Sequence, residues 1–341
     1  MREMSGPSRP RILVIGPSSL VGSRVIELLF SKYCISLAGR RNPFSLGKEI
    51  ESFSLLDLAD PSQIRRVIGR STAEVVVNFA AATDVEACER ERALGTNGTA
   101  WKVNAAALDH ISDACLRARK RLVHFSTDYV FQGTRGPYGE DDPPEDEGRC
   151  LSWYGYTKLQ GERYVSASDV DWCIVRIAHA YRSRFDFGTD FARKILTLHK
   201  ERRLYPMFVD QWITPTFVDD VAPAIDAIVQ YGASGFYHVV SPDVTTPYDF
   251  AAFLISTFYG DRSSEFILKG SIADYLGKEG RPRIPVNAAL KVGKIVKLGV
   301  SPKSYKDGIL EFCRQLARSN DGRQVGASNN VRGREESKRP K

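Results

Sequence analysis

The sequence predicts an α/β fold: a doubly wound parallel sheet with a smaller, discontinuous C-terminal lobe. Three observations carry this reading. Short β-branched runs alternate with amphipathic stretches over residues 11–180, a glycine turn follows the first run, and the alternation then loosens before returning once. The 341 residues are 43% hydrophobic and 26% charged. That composition suits one large folded domain or two modest ones, and it excludes a disordered regulator, a disulfide-rich mini-protein and a fibre.

Taken in order, residues 1–10 form a polar leader. The expected strands are Arg11–Ile15, Ile35–Ala38, Glu51–Leu55, Glu74–Phe79, Arg121–Ser126 and Trp172–Ile177. Each is short and β-branched, as buried parallel strands are. Between them the apolar spacing predicts helices over Leu20–Phe30, Ser62–Ile68, Thr96–Ala118 and Trp153–Val165. Residues 11–180, joined by a return segment at 216–240, make the main body. Residues 181–215 and 241–318 read as insertions that build the smaller lobe. From 319 to 341 the chain is rich in Gly, Ser, Asn and Arg, which predicts a disordered basic tail.

The formal charge is +7, yet residues 1–11 carry +2 of it and 319–341 carry +3, leaving +2 for the body between. A near-neutral body argues against a nucleic-acid partner. The six cysteines form no Cys-x-x-Cys pair and no metal-ligand cluster with the five histidines, so they read as free thiols and no metal site is expected. No apolar run has the length of a membrane span, and the first one, Ile12–Ile15, is too short for a signal-peptide core. The expected location is the cytoplasm, with no membrane partner.

The run Ile12–Ile15 passes into Gly16-Pro17-Ser18-Ser19-Leu20-Val21-Gly22. A strand, a glycine turn and a helix start present backbone N–H groups and a positive dipole end to a pyrophosphate, which makes the body Rossmann-type and NAD(P)-binding. Ser19 stands where a central glycine is usual, and its hydroxyl can itself donate to a phosphate. After the second strand come Arg40 and Arg41, where a carboxylate would favour NAD. Two forked cations suit a 2′-phosphate, so NADPH is the expected cofactor, with NADH left open. Asp57 and Leu58 fall at the adenine edge. Ala80, Ala81 and Ala82 let the backbone lie against the cofactor.

The fifth strand ends in Thr127-Asp128-Tyr129, and downstream lies Tyr154-Gly155-Tyr156-Thr157-Lys158-Leu159-Gln160-Gly161-Glu162. Tyr154 and Lys158 are four apart and share one face of a helix. An ammonium there can tune a phenol for proton transfer.

In these residues the chain resembles the extended short-chain dehydrogenase/reductases, and among them the dTDP-4-dehydrorhamnose reductases. The matching strings are Ser126–Gly133, Tyr154–Glu162, Val209–Thr216 with Asp219-Asp220, Gly235–His238, and Arg281-Pro282 near Asn287-Ala288-Ala289-Leu290. The resemblance implies that Tyr154 donates the proton, that Lys158 binds the nicotinamide ribose and tunes Tyr154, and that Thr127 holds the substrate carbonyl with Asp128 beside it. It places a structural asparagine of the central helix at Asn97. It also implies reduction of the 4-keto group of a nucleotide-linked 4-keto-6-deoxyhexose, with Tyr129, His179 and Arg281 around the sugar.

Two departures bear on the sugar: His179 stands where the reductases usually have tryptophan, and Ile213 replaces a small residue. His179 reads as packing rather than catalysis, and the acidic loop Glu140–Glu147 as solvated. Two other functions compete. One is an epimerase or dehydratase, which would want an acid after the second strand. The other is an NADP-binding regulatory subunit like the β subunit of methionine adenosyltransferase. A homodimer is left open as the assembly.

Overall fold

The computed structural model describes residues 9–44, 46, 50–144 and 150–332, with side chains described up to 318 and outside 261–263. Residues 1–8 of the leader, 145–147 of the acidic loop and 333–341 of the tail lie outside the described residues.

Seven parallel strands form one sheet: β1 (Arg11–Ile15), β2 (Cys34–Gly39), β3 (Ile50–Leu55), β4 (Val75–Asn78), β5 (Arg121–Thr127), β6 (Trp172–Ile177) and, after the two-residue β7 (Met207–Phe208), β8 (Gly235–His238). Their spatial order is β3-β2-β1-β4-β5-β6-β8. The order reverses between β1 and β4, and the carboxyl ends on either side of that reversal open the crevice in which such sheets bind ligands. β7 pairs separately with β9 (Lys269–Gly270).

The helices are α1 (Leu20–Leu29), α2 (Pro61–Arg70), α3 (Val85–Arg90), α4 (Thr99–Trp101), α5 (Ala107–Arg117), α6 (Trp153–Ser166), α7 (Phe191–Lys200), α8 (Val221–Gln230), α9 (Pro247–Tyr259), α10 (Ile272–Leu276), α11 (Gly293–Lys297) and α12 (Tyr305–Arg332). Side chains of β1 alternate between the two faces. Ile12 and Val14 pack with Val25 and Ile26 of α1 and Ile225 and Ile228 of α8. Leu13 and Ile15 pack with Ile64 of α2, Leu108 and Ile111 of α5 and Val165 of α6. Burial on both faces is why these strands read as unbroken apolar runs.

The helix expected over Thr96–Ala118 is in fact four pieces. A 3-10 turn, Arg92–Asn97, ends at the extended Gly98, and a π turn, Lys102–Ala106, joins α4 to α5. The smaller lobe has its own core, with Tyr181, Ile195, Phe250, Leu254 and Phe312 among its members. Its borders differ from the expected ones. Phe217, of the return segment, packs in the lobe core, whereas Ile295 and Val300 pack in the body. The backbone of α12 continues past 318 to Arg332, where the sequence predicts a disordered tail. Extending an existing helix needs no new nucleus, so composition alone does not stop it.

Candidate active site

Gly16 turns the chain at the end of β1 with φ 80°, and a Cβ there would lie 2.7 Å from the Ala80 nitrogen. Only glycine brings the β1 and β4 loops this close. The Gly16 N–H donates to the Ala38 carbonyl at 2.9 Å, which ties the turn to the end of β2. Ser19 caps α1: its Oγ accepts the Gly22 N–H at 3.0 Å, so its own hydrogen is left to point elsewhere. Arg40 and Arg41 follow β2, both exposed, and among the described residues neither is ion-paired. Asp57 is exposed, with Oδ1 accepting the Ala59 N–H at 2.9 Å. The Leu58 side chain is packed into the core. Val21 likewise turns its side chain into the core, beside the partly exposed Ser18 and Leu20.

The loop Ala80-Ala81-Ala82 after β4 is pinned at both ends. Asn78 Oδ1 accepts the Ala80 N–H at 3.0 Å. Asn104 Oδ1 accepts the Ala82 N–H at 2.8 Å, and Asn104 Nδ2 donates to the Ala82 carbonyl at 2.9 Å and to Thr157 Oγ1 at 3.2 Å. The structural asparagine is therefore Asn104, in the π turn. Asn97, expected in that role, is exposed on the preceding 3-10 turn. The central helix is broken by a 3-10 turn and a π turn, which shifts its buried asparagine from position 97 to 104. The clue was Asn104 itself, a polar residue between Val103 and three alanines.

Tyr154 lies in the first turn of α6, 9% exposed, with Ser152 as N-cap. Burial raises its phenol pKa, while a hydrogen bond with the Thr127 side chain pulls the other way. Thr127 Oγ1 donates to Asp128 Oδ1 at 3.0 Å and accepts the Tyr129 N–H at 3.3 Å. Asp128 is buried, and burial pushes its carboxyl up to about 7. The Tyr129 ring meets Tyr154 edge-on at 5.5 Å. Phenol, hydroxyl and carboxyl thus lie together at the end of β5.

Lys158 is 1% exposed. Its Nζ donates to the Phe125 carbonyl at 2.7 Å and lies 3.1 Å from His124 Nε2, and burial lowers its pKa to about 8. The rest of the α6 string has structural work. A Cβ on Gly161 would overlap the Asn104 carbonyl oxygen. Glu162 accepts two bonds from the buried Arg176, at 2.9 and 2.7 Å.

His179 follows β6 with φ 43°, and its ring lies 5.0 Å from that of Phe191. Burial lowers its pKa to about 4, so it is neutral at neutral pH. Arg281 is exposed, 3.6 Å from Glu86 of α3 and 5.6 Å from the Tyr275 ring. This contact brings the lobe against α3. The acidic loop is only partly solvated, since Glu140 is buried and its Oε1 accepts the Lys294 N–H of α11 at 2.7 Å. Among the described residues no His, Cys, Asp and Glu cluster could hold a metal, and no helix is long and apolar enough to cross a membrane.

Residues 10–318 match the family described as RmlD substrate binding domain. The chain belongs to this family. The RmlD-family chain is 29% identical over 304 residues to the probable low-salt glycan biosynthesis reductase of Haloferax volcanii, covering 87% of this chain and 95% of that one. It is 34% identical over 214 residues to the dTDP-4-dehydrorhamnose reductase of Burkholderia thailandensis, covering 59% and 67%. Among solved structures it resembles the dTDP-4-dehydrorhamnose reductase of Bacillus anthracis in complex with NADP. That match has a TM-score of 0.74 and 25% identity, and covers 90% of this chain and 99% of the other.

Proposed function

We propose that this RmlD-family protein is an NADPH-dependent reductase of the 4-keto group of a dTDP-linked 4-keto-6-deoxyhexose, with Tyr154 as the proton donor. The observation that carries it is the grouping of Tyr154, Thr127 and Asp128 at the end of β5, on a family scaffold whose named relatives are reductases of such sugars. The residues present fit the cofactor. Gly16 lets the turn after β1 close against Ala80, the N-terminus of α1 offers N–H groups, and Arg40 and Arg41 are free of acids among the described residues. When bound, NADPH supplies the hydride.

The protein's own residues supply position and the proton. Thr127 and Tyr154 would hold the keto oxygen between two hydroxyls. A buried phenol with a raised pKa stays protonated until an alkoxide forms beside it, and it then donates. Lys158, one turn after Tyr154 on α6 and anchored on the Phe125 carbonyl, would meet the ribose. Tyr129, His179 and Arg281 would line the sugar. An epimerase would want an acid where Arg40 and Arg41 stand, and a regulatory subunit needs no intact catalytic grouping. Buried thiols that form no disulfide, Cys88, Cys115 and Cys173, support a cytoplasmic location, and we take the homodimer as the assembly to test by sedimentation.

The test is NADPH oxidation, followed by absorbance, with dTDP-4-dehydro-6-deoxy-L-mannose. Wild type should turn over, and Tyr154→Phe should lose about 10²- to 10⁴-fold in kcat while still binding NADPH. No turnover by wild type that binds NADPH would sink the reductase assignment for this sugar.

A further inference from the structure

Lys158 touches a second buried titratable group that the reaction as described does not use. His124, on β5, is fully buried, with Nε2 3.1 Å from Lys158 Nζ and Nδ1 3.2 Å from Asn78 Nδ2. The orientation of Asn78 is not free. Its Oδ1 accepts the Ala80 N–H at 3.0 Å, so its Nδ2 is the end that meets His124 and can only donate. Nδ1 of His124 must then be the acceptor. Burial keeps the ring neutral, and a neutral imidazole that accepts at Nδ1 carries its proton on Nε2. That Nε2–H points at Lys158 Nζ, which can accept it only through a lone pair, as the uncharged amine.

An ammonium at 158 meets the opposite arrangement. It needs Nε2 as an acceptor, which moves the ring proton to Nδ1 and sets it against the Asn78 NH₂. Turning Asn78 to accept that proton would take Oδ1 away from the Ala80 N–H, on the loop beside Gly16. Each route leaves a buried donor unpaired or facing another donor, which is costly. No other group around Lys158 takes the place of the imidazole: Tyr154 lies one turn earlier on α6, Asp128 is bonded to Thr127, and the Glu162 carboxylate, whose charge favours the ammonium less than burial opposes it, is bonded to Arg176.

We propose that His124 is a positioning residue: oriented by Asn78, it donates its Nε2–H to Lys158, favours the amine over the ammonium, and couples the charge on Lys158 to the Ala80–Ala82 loop. What that charge does in turnover rests on the reductase reading; the polarity of the chain does not.

The experiment has two arms. In protein labelled with ¹⁵N-histidine, long-range proton–nitrogen spectra report which ring nitrogen carries the proton in each of the five histidines, and His124→Phe identifies its signal. At about pH 9, where Lys158 is uncharged, the His124 proton should sit on Nε2. A proton on Nδ1 overturns the inference. The second arm is the pH profile of kcat/KM. Removing an opposing donor with His124→Phe should move the alkaline limb up by about one pH unit, whereas removing an acceptor would move it down. A downward or absent shift overturns the inference. If His124→Phe does not fold, His124→Gln assigns the spectrum and the tautomer decides alone. An Nε2–H tautomer in an enzyme with no turnover would count against the reductase reading and not against the chain.

Discussion

Two side chains carry the sharpest residue-level expectations. Arg40 has no acid partner among the described residues and follows the strand end where a ribose 2′ group would lie. Charge-assisted hydrogen bonds are worth roughly 1.5–3 kcal/mol, so Arg40→Ala should weaken NADPH by about tenfold or more and leave NADH nearly unchanged. Titration of the two cofactors checks this, and equal losses would remove the argument for the 2′-phosphate. Asp128 is raised by burial from 3.8 to about 7, so the folded chain holds this proton longer than the unfolded one. Its stabilising contribution is full below the lower value and is lost as pH rises through the higher. Asp128→Asn should therefore flatten thermal stability across that window and melt higher than wild type above it. A profile unchanged by the substitution would show that Asp128 ionises freely. Tyr154, Lys158 and Thr127 were legible from their spacing, their place after a strand end and the family resemblance, because a four-residue separation on a helix and a strand terminus are local facts. His124 and Asn78 were not, because their partners come from other strands.

Among the elements, the π turn before α5 does what an unbroken α-helix would not: it turns Asn104 onto both polar groups of Ala82. Asn104→Ala leaves those groups and Thr157 short of a partner, at a cost of about 1–3 kcal/mol, and should loosen the cofactor loop. Asn97→Ala, on an exposed turn, should stay within about 0.5 kcal/mol of wild type. Denaturant melts together with NADPH titration separate the two, and equal destabilisation would refute the assignment. The helix was visible as an apolar pattern, but its breaks were not. Gly95 and Gly98 interrupt it, and a π turn leaves no spacing signature across five residues.

At the scale of the molecule, part-buried side-chain bonds tie α12 of the lobe to the body. Arg24 of α1 bonds Asp219 at 2.7 and 2.8 Å, and Gln315 of α12 reaches the same carboxylate at 2.9 Å. Ile309 and Phe312 of α12 sit in the lobe core, upstream of residue 318, where the family match also ends. A chain cut after Arg318 should accordingly keep its melting temperature and its NADPH affinity. A loss of several degrees would mean that the rest of α12 packs against the fold. Strands β1 to β6, the glycine turn, the arginines after β2 and the Tyr154–Lys158 face are legible in the sequence, since each depends on period or on neighbours within a few residues, whereas β8, in the return segment, is not. Only the tertiary structure decided which asparagine braces the cofactor loop, where the lobes divide, and what Lys158 leans on. Those choices are made by hydrogen bonds between segments far apart in the chain, and a buried polar group takes whichever partner folding brings to it.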